Sequence, residues 1–239
     1  MEKHIAIVLA AGQGKRMQSK VQKQYLLLQG RPVLYYSLKA FEDSFVDEII
    51  LVTGAGDIEY CQKEIVEKYN FQKVRSIVPG GKERYHSVYA GLCAAEQMGA
   101  DYIYIQDGAR PMLIEEILDR LRHTVELEKA CVAGMPVKDT IKIADESGYV
   151  DTTPKRELVW MIQTPQVFDF QWIKQAYDKL IQEEVQVLEA GISITDDAMV
   201  LEHFMKKKVK LVEGSYENIK ITTPEDLPIA ESFLKELNQ

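Results

Sequence analysis

Short apolar runs alternate with longer amphipathic patterns along most of this chain, and this alternation limits the folds that it can adopt. The first run, His4–Ala10, reads HIAIVLA and leads directly into a loop that contains Gly12 and Gly14. An apolar run this short, bounded by turn residues, predicts a buried strand, and the amphipathic segments that follow predict helices. A repeated strand–helix order is typical of a mostly parallel sheet with helices on both faces. We therefore predict an α/β, Rossmann-like fold of three layers.

The pattern assigns most of the chain to individual elements. The predicted strands are His4–Ala10, Glu48–Thr53, Lys73–Val78, Asp101–Gln106, Ala130–Pro136 and Lys208–Glu213. The predicted helices are Pro32–Phe41, Ile58–Tyr69, Ser87–Gln97, Ile114–Glu128, Gln171–Glu184, Asp196–Met205 and Pro224–Leu237. Because no internal repeat or linker-like stretch separates them, residues 1–239 are expected to form one domain.

The alternation breaks between residues 138 and 158. Thr140–Ala144 and Tyr149–Thr153 are predicted to pair as two strands around the turn sequence at residues 145–148. Their apolar content is too low for a core position. We interpret the segment as a protruding β-hairpin arm, and an irregular surface loop is the alternative.

Composition excludes several classes of protein. The chain has 239 residues, 46% of them hydrophobic, and can bury a core without cross-links. Its 29 Lys and Arg against 37 Asp and Glu give a net charge of −8, which disfavours nucleic acids and membrane surfaces as general partners. The 3 cysteines form no C-x-x-C pair, which rules out a disulfide framework and a cysteine zinc site and fits a cytoplasmic location. No apolar run approaches the roughly 18 residues of a membrane span.

Positive charge is concentrated near the N-terminus. Residues 3–41 contain no Asp or Glu and carry a net charge of +7. Beside a glycine loop, such a stretch indicates an anion-binding site, because a phosphate needs donors and positive charge. From spacing alone, a basic surface patch explains the same charge equally well.

The glycine loop, residues 9–17, matches neither of two common nucleotide-binding motifs. A dinucleotide fingerprint needs a third glycine where this chain has Met17, and an acidic residue about 20 residues later, but none follows before Glu42. A Walker loop needs a wider glycine spacing and Ser or Thr after its lysine, where this chain has Arg16. What remains is a loop of small residues whose backbone N–H groups can approach a polyphosphate, with Arg16 and Lys23 available to neutralise charge.

Further segments extend this pattern over nearly the whole chain. In chain order, the set is Leu9-Ala10-Ala11-Gly12-x-Gly14-x-Arg16-Met17 with Lys23-Gln24, Gly80-Gly81-Lys82-Glu83-Arg84-Tyr85-His86-Ser87-Val88, Asp107-Gly108-Ala109-Arg110-Pro111, Pro136-Val137-Lys138-Asp139-Thr140, Gln163-Thr164-Pro165-Gln166, Thr195-Asp196-Asp197 and Glu213-Gly214-Ser215-x-x-Asn218-Ile219-Lys220. Each segment alone is a weak signal. Together and in this order they resemble the 2-C-methyl-D-erythritol 4-phosphate cytidylyltransferases.

The resemblance implies a GT-A-like nucleotidyltransferase fold and a reaction in which CMP passes from CTP to 2-C-methyl-D-erythritol 4-phosphate, with release of pyrophosphate. The substrate phosphate attacks the α-phosphorus in line, so the enzyme mainly positions two anions and stabilises a pentacoordinate transition state. This chemistry implies Mg²⁺ or another divalent cation on the triphosphate oxygens. In this family the arm interlocks with a second subunit, so a homodimer is also implied.

The resemblance also implies roles for individual residues. The implied catalytic residues are Arg16, Lys23, Arg156 and Lys220. The implied substrate-binding residues are Ala10, Ala11, Gly12, Gly14, Gly81, Lys82, Ser87, Asp107, Ala109, Arg110, Thr140 and Thr164. Arg16 and Lys23 would stabilise the transition state and the leaving pyrophosphate, and Lys220 would lie near the α-phosphate. Arg156 and Thr140 would hold the substrate phosphate, in their own subunit or in the partner's site.

Several of these residues also have a structural interpretation. Asp107 would contact either the nucleotide ribose or the part of the site that holds the acceptor substrate and the metal. An Asp-Gly pair is also common in turns, and the alternative is that Asp107 is a helix N-cap. Asp196 and Asp197 are equally well explained as an acidic pair at a helix N-terminus, and no metal is assigned to them. For Arg156, the alternative is a salt bridge within the arm.

Two positions depart from the family pattern. Lys82 stands where the family often has an acidic side chain near the cytosine amino group, which leaves the backbone of Gly81 to make that contact. Gln106 stands where relatives often have His, and little effect is expected.

Two other functions compete with this interpretation. The ribitol 5-phosphate cytidylyltransferases share most of these motifs, but their first loop tends to read Ala-Gly-Gly, so Ala10-Ala11-Gly12 favours methylerythritol phosphate. A non-catalytic nucleotide-binding regulator of the same fold should lack at least one of the basic residues that handle phosphate. This chain has all four, namely Arg16, Lys23, Arg156 and Lys220.

Overall fold

A computed structural model of the chain describes residues 2–12, 14, 17 and 21–237. Its strands are β1 (His4–Ala10), β2 (Leu27–Leu28), β3 (Arg31–Pro32), β4 (Glu48–Thr53), β5 (Val74–Pro79), β6 (Tyr102–Asp107), β7 (Ala130–Pro136), β8 (Ile143–Ala144), β9 (Val150–Thr152), β10 (Trp160–Asp169) and β11 (Lys210–Glu213). Its helices are α1 (Val33–Glu42), α2 (Ile58–Tyr60, continued as a π-helix over Cys61–Glu67), α3 (Arg84–Gln97), α4 (Glu115–Glu128), α5 (Phe170–Gln182), α6 (Glu184–Glu189), α7 (Asp197–Met205) and α8 (Asp226–Leu237). A 3-10 turn at Lys23–Tyr25 follows the glycine loop.

Within the described part of the chain, seven strands form one sheet in the order β11-β7-β10-β6-β1-β4-β5. β1 pairs in parallel with β4 and β6, β5 pairs in parallel with β4, and β11 pairs in parallel with β7. β10 alone among these seven is antiparallel to its neighbours, β6 and β7. From β1 the chain builds outward through β4 and β5 and then returns to β6 on the other side. The carboxyl ends of β1 and β6 therefore form a switch point of the strand order, where open α/β sheets bind ligands.

Helices cover both faces of this sheet because β1 is apolar on both sides. Its alternate residues enter two separate cores, with Ala6 and Val8 in one and Ile5 and Ile7 in the other. α1 and α4 complete the first core, and α3, α5 and α7 complete the second. The predicted three-layer, mostly parallel fold is confirmed.

The C-terminal segment returns to the beginning of the chain. Ile221 and Leu234 pack with Leu28 in a third apolar cluster. The backbone N–H of Ile221 donates to the carbonyl of Ala109 at 2.8 Å, just beyond the end of β6. These contacts bring Lys220 to the carboxyl edge of the sheet.

The arm is a short antiparallel hairpin formed by β8 and β9, in which Ile143 lies opposite Thr152. Its turn is closed by Asp145, whose Oδ1 accepts the backbone N–H groups of Ser147 and Tyr149 at 2.9 Å each. Nearly every side chain from residue 138 to residue 158 is exposed. The predicted hairpin is present, with shorter paired segments than expected.

One strand of the central sheet has no counterpart among the predicted elements. β10 contains the polar segment Gln163-Thr164-Pro165-Gln166, which lacks the apolar character of a buried strand. Its pairing with β7 shifts register between Ile162 and Gln166. This irregularity explains why the pattern of the sequence does not predict a strand there.

Candidate active site

A cleft of about 660 Å³ opens at the carboxyl ends of β1 and β6. It is lined by Leu9, Ala11, Gly12, Gly14, Lys23, Gln24, Gly81, Lys82, Glu83, Arg84, Ser87, Asp107, Ala109 and Lys220. These residues come from the glycine loop, the following 3-10 turn, the segment after β5, the end of β6 and the C-terminal segment. The fold thus brings most of the predicted site residues to one place.

The first wall of the cleft joins the glycine loop to the 3-10 turn that carries Lys23. The amide Nε2 of Gln24 donates to the carbonyl of Ala10 at 2.6 Å and to that of Gly12 at 3.2 Å. Gln24 is buried, so these bonds are shielded from water. Gln24 therefore holds Lys23 beside the loop, a role that its place in the sequence motif does not reveal.

The second wall is the segment between β5 and α3, which lies directly against the glycine loop. A Cβ at Gly80 would lie 2.5 Å from the Cβ of Ala11 and 2.7 Å from the Oγ of Ser87, so a larger residue does not fit. The Ser87 hydroxyl also accepts the backbone N–H of Gly81 at 3.2 Å. The glycine loop and the segment between β5 and α3 are thus in direct contact.

The third wall centres on Asp107, at the end of β6. Its Oδ2 lies 2.7 Å from the Nζ of Lys220, and its Oδ1 accepts from the Nε of Arg84 at 3.3 Å. Its backbone N–H donates to the Oγ1 of Thr164 at 3.1 Å. Burial alone would raise the pKa of Asp107, but the charges of Arg84, Lys220 and Arg110 outweigh it and hold that pKa well below its usual range. Asp107 is therefore an ionised carboxylate, and as the last residue of a strand it caps no helix.

A smaller cavity of about 330 Å³, which we call the side cavity, adjoins this wall. It is lined by Arg84, Asp107, Arg110, Ile162, Gln163, Thr164, Gln166, Thr195, Asp196 and Lys220. Three of these residues, Arg84, Asp107 and Lys220, also line the cleft. The Lys220–Asp107 ion pair therefore stands between two spaces, each with room for polar ligand groups.

Not every predicted site residue reaches the cleft. Arg156 lines a separate cavity at the foot of the arm with Pro136, Val137, Lys155 and Glu157, and its Nη1 donates to the carbonyl of Lys138 at 3.3 Å. Thr140 is exposed in the same region. Arg16 lies outside the described residues.

The acidic pair at residues 196 and 197 divides into two roles. Asp196 is the N-cap of α7, where its Oδ1 accepts the backbone N–H of Met199 at 3.0 Å. Asp197 is fully buried and binds the guanidinium of Arg84, which the sequence motif contains without indicating a role. A pairing between residues this far apart leaves no periodic signal in the sequence.

The family follows from comparison with known proteins. Residues 4–236 match the family model described as IspD, 2-C-methyl-D-erythritol 4-phosphate cytidylyltransferase. The chain belongs to this family. Relatives that carry the same name include one from Lachnoclostridium phytofermentans, 50% identical over 236 residues that cover 99% of this chain and 98% of the relative. Another, from Lachnospira eligens, is 52% identical over 231 residues, which cover 96% of this chain and 98% of the relative.

A solved structure agrees with the IspD assignment. The 4-diphosphocytidyl-2C-methyl-D-erythritol synthase from Anaerococcus prevotii has a TM-score of 0.84 and 37% sequence identity to this chain, covering 98% of it and 96% of that protein. The resemblance found in the sequence motifs is thereby confirmed, as is the prediction of a nucleotidyltransferase.

Two further observations concern metals and membranes. Among the described residues, no group of three or more His, Cys, Asp or Glu side chains is arranged to hold a metal ion. None of the helices in the described ranges is both long and apolar enough to cross a membrane.

Proposed function

We propose that the cleft is the site at which this IspD family member transfers CMP from CTP to 2-C-methyl-D-erythritol 4-phosphate, giving the CDP-alcohol and pyrophosphate. The observation that carries the proposal is the position of the Lys220–Asp107 ion pair, which lines both the cleft and the side cavity. A cation at this boundary can contact a phosphate held on either side. Ribitol 5-phosphate as the acceptor is not favoured, because the family model and the relatives carry the methylerythritol name.

The cleft has the shape and lining expected for CTP. Its volume of about 660 Å³ suits a single nucleotide. The segment at Gly81 and Ser87 would hold the cytosine and ribose, largely through backbone groups. Ala11, Gly12 and Gly14 would lie along the triphosphate, with Lys23 near its charge. A narrow base site of this kind would reject the larger purines.

The side cavity would receive the acceptor alcohol. It lies across the ion pair from the cleft, so an acceptor phosphate there would face the α-phosphorus of CTP. Arg110 and Thr164 line it, and Asp107 is available to a hydroxyl group of either substrate. Because the attacking phosphate is already an anion, the residues need not remove a proton. Lys220 would neutralise the charge that develops on the α-phosphate, and Lys23 that on the departing pyrophosphate.

A divalent cation fits this site through Asp107. The carboxylate is ionised and lines the cleft, and a Mg²⁺ ion prefers hard oxygen ligands, commonly one or two carboxylates together with substrate phosphates. Asp107 would hold the ion jointly with the triphosphate. When bound, the cation would offset the negative charge of CTP.

We also propose that residues 1–239 act as one domain and that the arm joins two chains in a homodimer in the cytoplasm. The arm exposes Ile143, Tyr149 and Val150, and exposed apolar side chains in a cluster favour an interface. Arg156 and Thr140 lie with the arm and not with the cleft of their own chain. In a dimer of interlocked arms, each would complete the partner's site by holding the acceptor phosphate.

The direct test is pyrophosphate release from CTP and Mg²⁺ with each of two acceptors in separate assays. We expect release with 2-C-methyl-D-erythritol 4-phosphate and not with ribitol 5-phosphate, and loss of release when EDTA removes the cation. Release with ribitol 5-phosphate alone would contradict the proposed acceptor. Binding of CTP without release in either assay would favour a regulator.

A further inference from the structure

Behind the cleft, one arginine bridges two carboxylates. The Nη1 and Nη2 atoms of Arg84 donate to Oδ1 and Oδ2 of Asp197, each at 2.8 Å. The Nε of the same guanidinium donates to Oδ1 of Asp107 at 3.3 Å. Arg84 therefore uses its forked, bidentate face on Asp197 and a single remaining donor on Asp107. Bidentate pairs fix orientation as well as distance.

Asp197 is also fixed by residues other than Arg84. Its side chain is fully buried, and the equally buried Tyr177 donates its hydroxyl to Oδ1 at 2.5 Å. The backbone N–H groups of Asp197 and Ala198 donate to the Oε1 of Gln166 at 3.0 Å and 2.9 Å. The carboxylate and the backbone that carries it are thus fixed by α5 and β10. A charge buried this deeply is costly unless each of these partners is present.

Stability alone is a weak explanation for this arrangement, because a buried ion pair is often no more stabilising than apolar residues of similar size. The position of Arg84 suggests a different role, since this residue lines both the cleft and the side cavity while Asp197 lines neither. Without Asp197, the forked face of Arg84 would be free to bind Asp107 in a bidentate pair. That rearrangement would draw Asp107 away from Lys220.

We propose that Asp197 is a positioning residue: through Arg84 it fixes the carboxylate of Asp107, and thereby the ammonium of Lys220, at the boundary between the cleft and the side cavity. The inference rests on the proposed function of that boundary. Asp197 contacts no substrate, and Arg84 transmits its effect.

The first test is Asp197→Asn, which keeps the shape of the side chain and an acceptor for Tyr177 but removes the charge that holds Arg84. We expect kcat for pyrophosphate release to fall by about a hundredfold, as for other displacements of about 1 Å at a reacting centre. The Kd for CTP, measured by calorimetry, should change by less than about threefold, because nucleotide contacts are retained. If Asp197 served stability alone, the melting temperature would fall while kcat per CTP-binding site stayed normal, and that result would overturn the proposal.

A second variant tests whether the effect passes through Arg84. Arg84→Lys keeps a positive charge but can reach only one of the two carboxylates, so kcat should fall in this variant as well. In a double-mutant cycle, Asp197→Asn should then cost little further kcat in the Arg84→Lys background. Independent, multiplying losses would contradict the proposed route.

Tyr177→Phe covers the case in which Asp197→Asn does not fold. It removes one hydroxyl donor from Asp197 and keeps the buried ring, and a loss of a few fold in kcat at unchanged CTP affinity is expected. Normal kcat in both Tyr177→Phe and Arg84→Lys would overturn the inference. If the wild type itself released no pyrophosphate, the proposed function would fail first.

A control with the same kinds of partner is Asp178, which follows Tyr177 in α5 and is more exposed than Asp197. The carboxylate of Asp178 also accepts from a tyrosine, Tyr89, at 3.0 Å and from a cation, Lys174, at 2.8 Å. It lines neither the cleft nor the side cavity. Asp178→Asn should therefore retain wild-type kcat, and a loss equal to that of Asp197→Asn would count against the proposed mechanism.

Discussion

The ion pair of Lys220 and Asp107 is the smallest unit on which the proposed chemistry depends. Its atoms lie 2.7 Å apart where the C-terminal segment crosses the end of β6. The sequence motifs imply roles for both residues, because each stands within a segment typical of the family. They do not indicate that Arg84 and Asp197 support the pair, because the contact between Arg84 and Asp197 joins two parts of the chain that are distant in sequence.

Lys220→Met should lower kcat by about a hundredfold or more, because it removes a preorganised cation from the position where charge develops. CTP affinity should fall less, since the base and ribose contacts remain. Stopped-flow measurement of pyrophosphate release together with calorimetric titration of CTP separates the two effects. Lys63→Met is the matched control, because Lys63 also pairs with a carboxylate, that of Glu59 at 2.7 Å, but on an exposed helix surface. Near-normal kcat in Lys220→Met would remove this residue from the mechanism.

The buried His4, at the start of β1, should make stability depend on pH. Burial and the nearby Arg122 lower its pKa, and together they outweigh the attraction of Glu126. The unfolded chain therefore binds a proton at a higher pH than the folded chain, and stability is lost as the pH falls below the ordinary histidine pKa of about 6.5. Urea unfolding should show that His4→Gln loses less stability than the wild type between about pH 7.5 and about pH 5.5. Identical slopes for the wild type and His4→Gln would contradict this expectation.

At the scale of elements, β1, β4 and β7 have the bounds that their apolar runs predict. Such strands are buried on both faces and are therefore continuous in hydrophobicity. β10 escapes prediction because a polar, proline-containing segment interrupts it, and its antiparallel insertion between β6 and β7 is set by partners distant in sequence. α3 begins three residues before its predicted start, at Arg84, because Glu83 and His86 form a capping box there.

The close approach of the β5–α3 segment to the glycine loop should tolerate no added methyl group. In Gly80→Ala, the new Cβ would meet Ala11 and Ser87 at distances that real side chains do not adopt, so the two segments must separate. We expect KM for CTP to rise by about tenfold with a smaller change in kcat. The reason is that the separated segments would bind CTP more weakly in the ground state and in the transition state by the same amount. Gly56→Ala is the control, since its Cβ would have no neighbour within 4 Å. An unchanged KM for CTP in Gly80→Ala would show that this contact does not shape the nucleotide site.

At the scale of the whole molecule, the cleft of one chain lacks two of the residues that the family resemblance assigns to the substrate phosphate. Arg156 and Thr140 lie with the arm, whereas Lys220 lies in the cleft. In a two-fold symmetric dimer, each arm would serve the partner's cleft. The sequence does not determine whether the arm serves its own cleft or the partner's. A motif indicates which residues act together, but it does not indicate whether they come from one chain or from two.

Complementation tests the shared site. Arg156→Ala and Lys220→Met should each be inactive alone, while a mixture that exchanges subunits should regain activity in one site of each heterodimer. Random pairing of equal amounts limits the recovery to about a quarter of the wild-type activity. The control is a mixture of Lys220→Met and Asp107→Asn. Both residues lie in the same wall of the cleft, so each of the two clefts in a heterodimer carries one of the changes and neither is intact. If the first mixture recovers no more than the control, Arg156 does not act across the dimer.

A crystal structure of the chain with CTP and Mg²⁺ would show whether CTP occupies the cleft with its α-phosphate beside Lys220. We expect cytosine density against Gly81 and Ser87, with the α-phosphate within hydrogen-bond distance of the Lys220 ammonium. We also expect the side cavity next to Arg110 to stay open to the acceptor. Nucleotide density outside the cleft, or an α-phosphate out of reach of Lys220, would contradict the proposed placement of CTP.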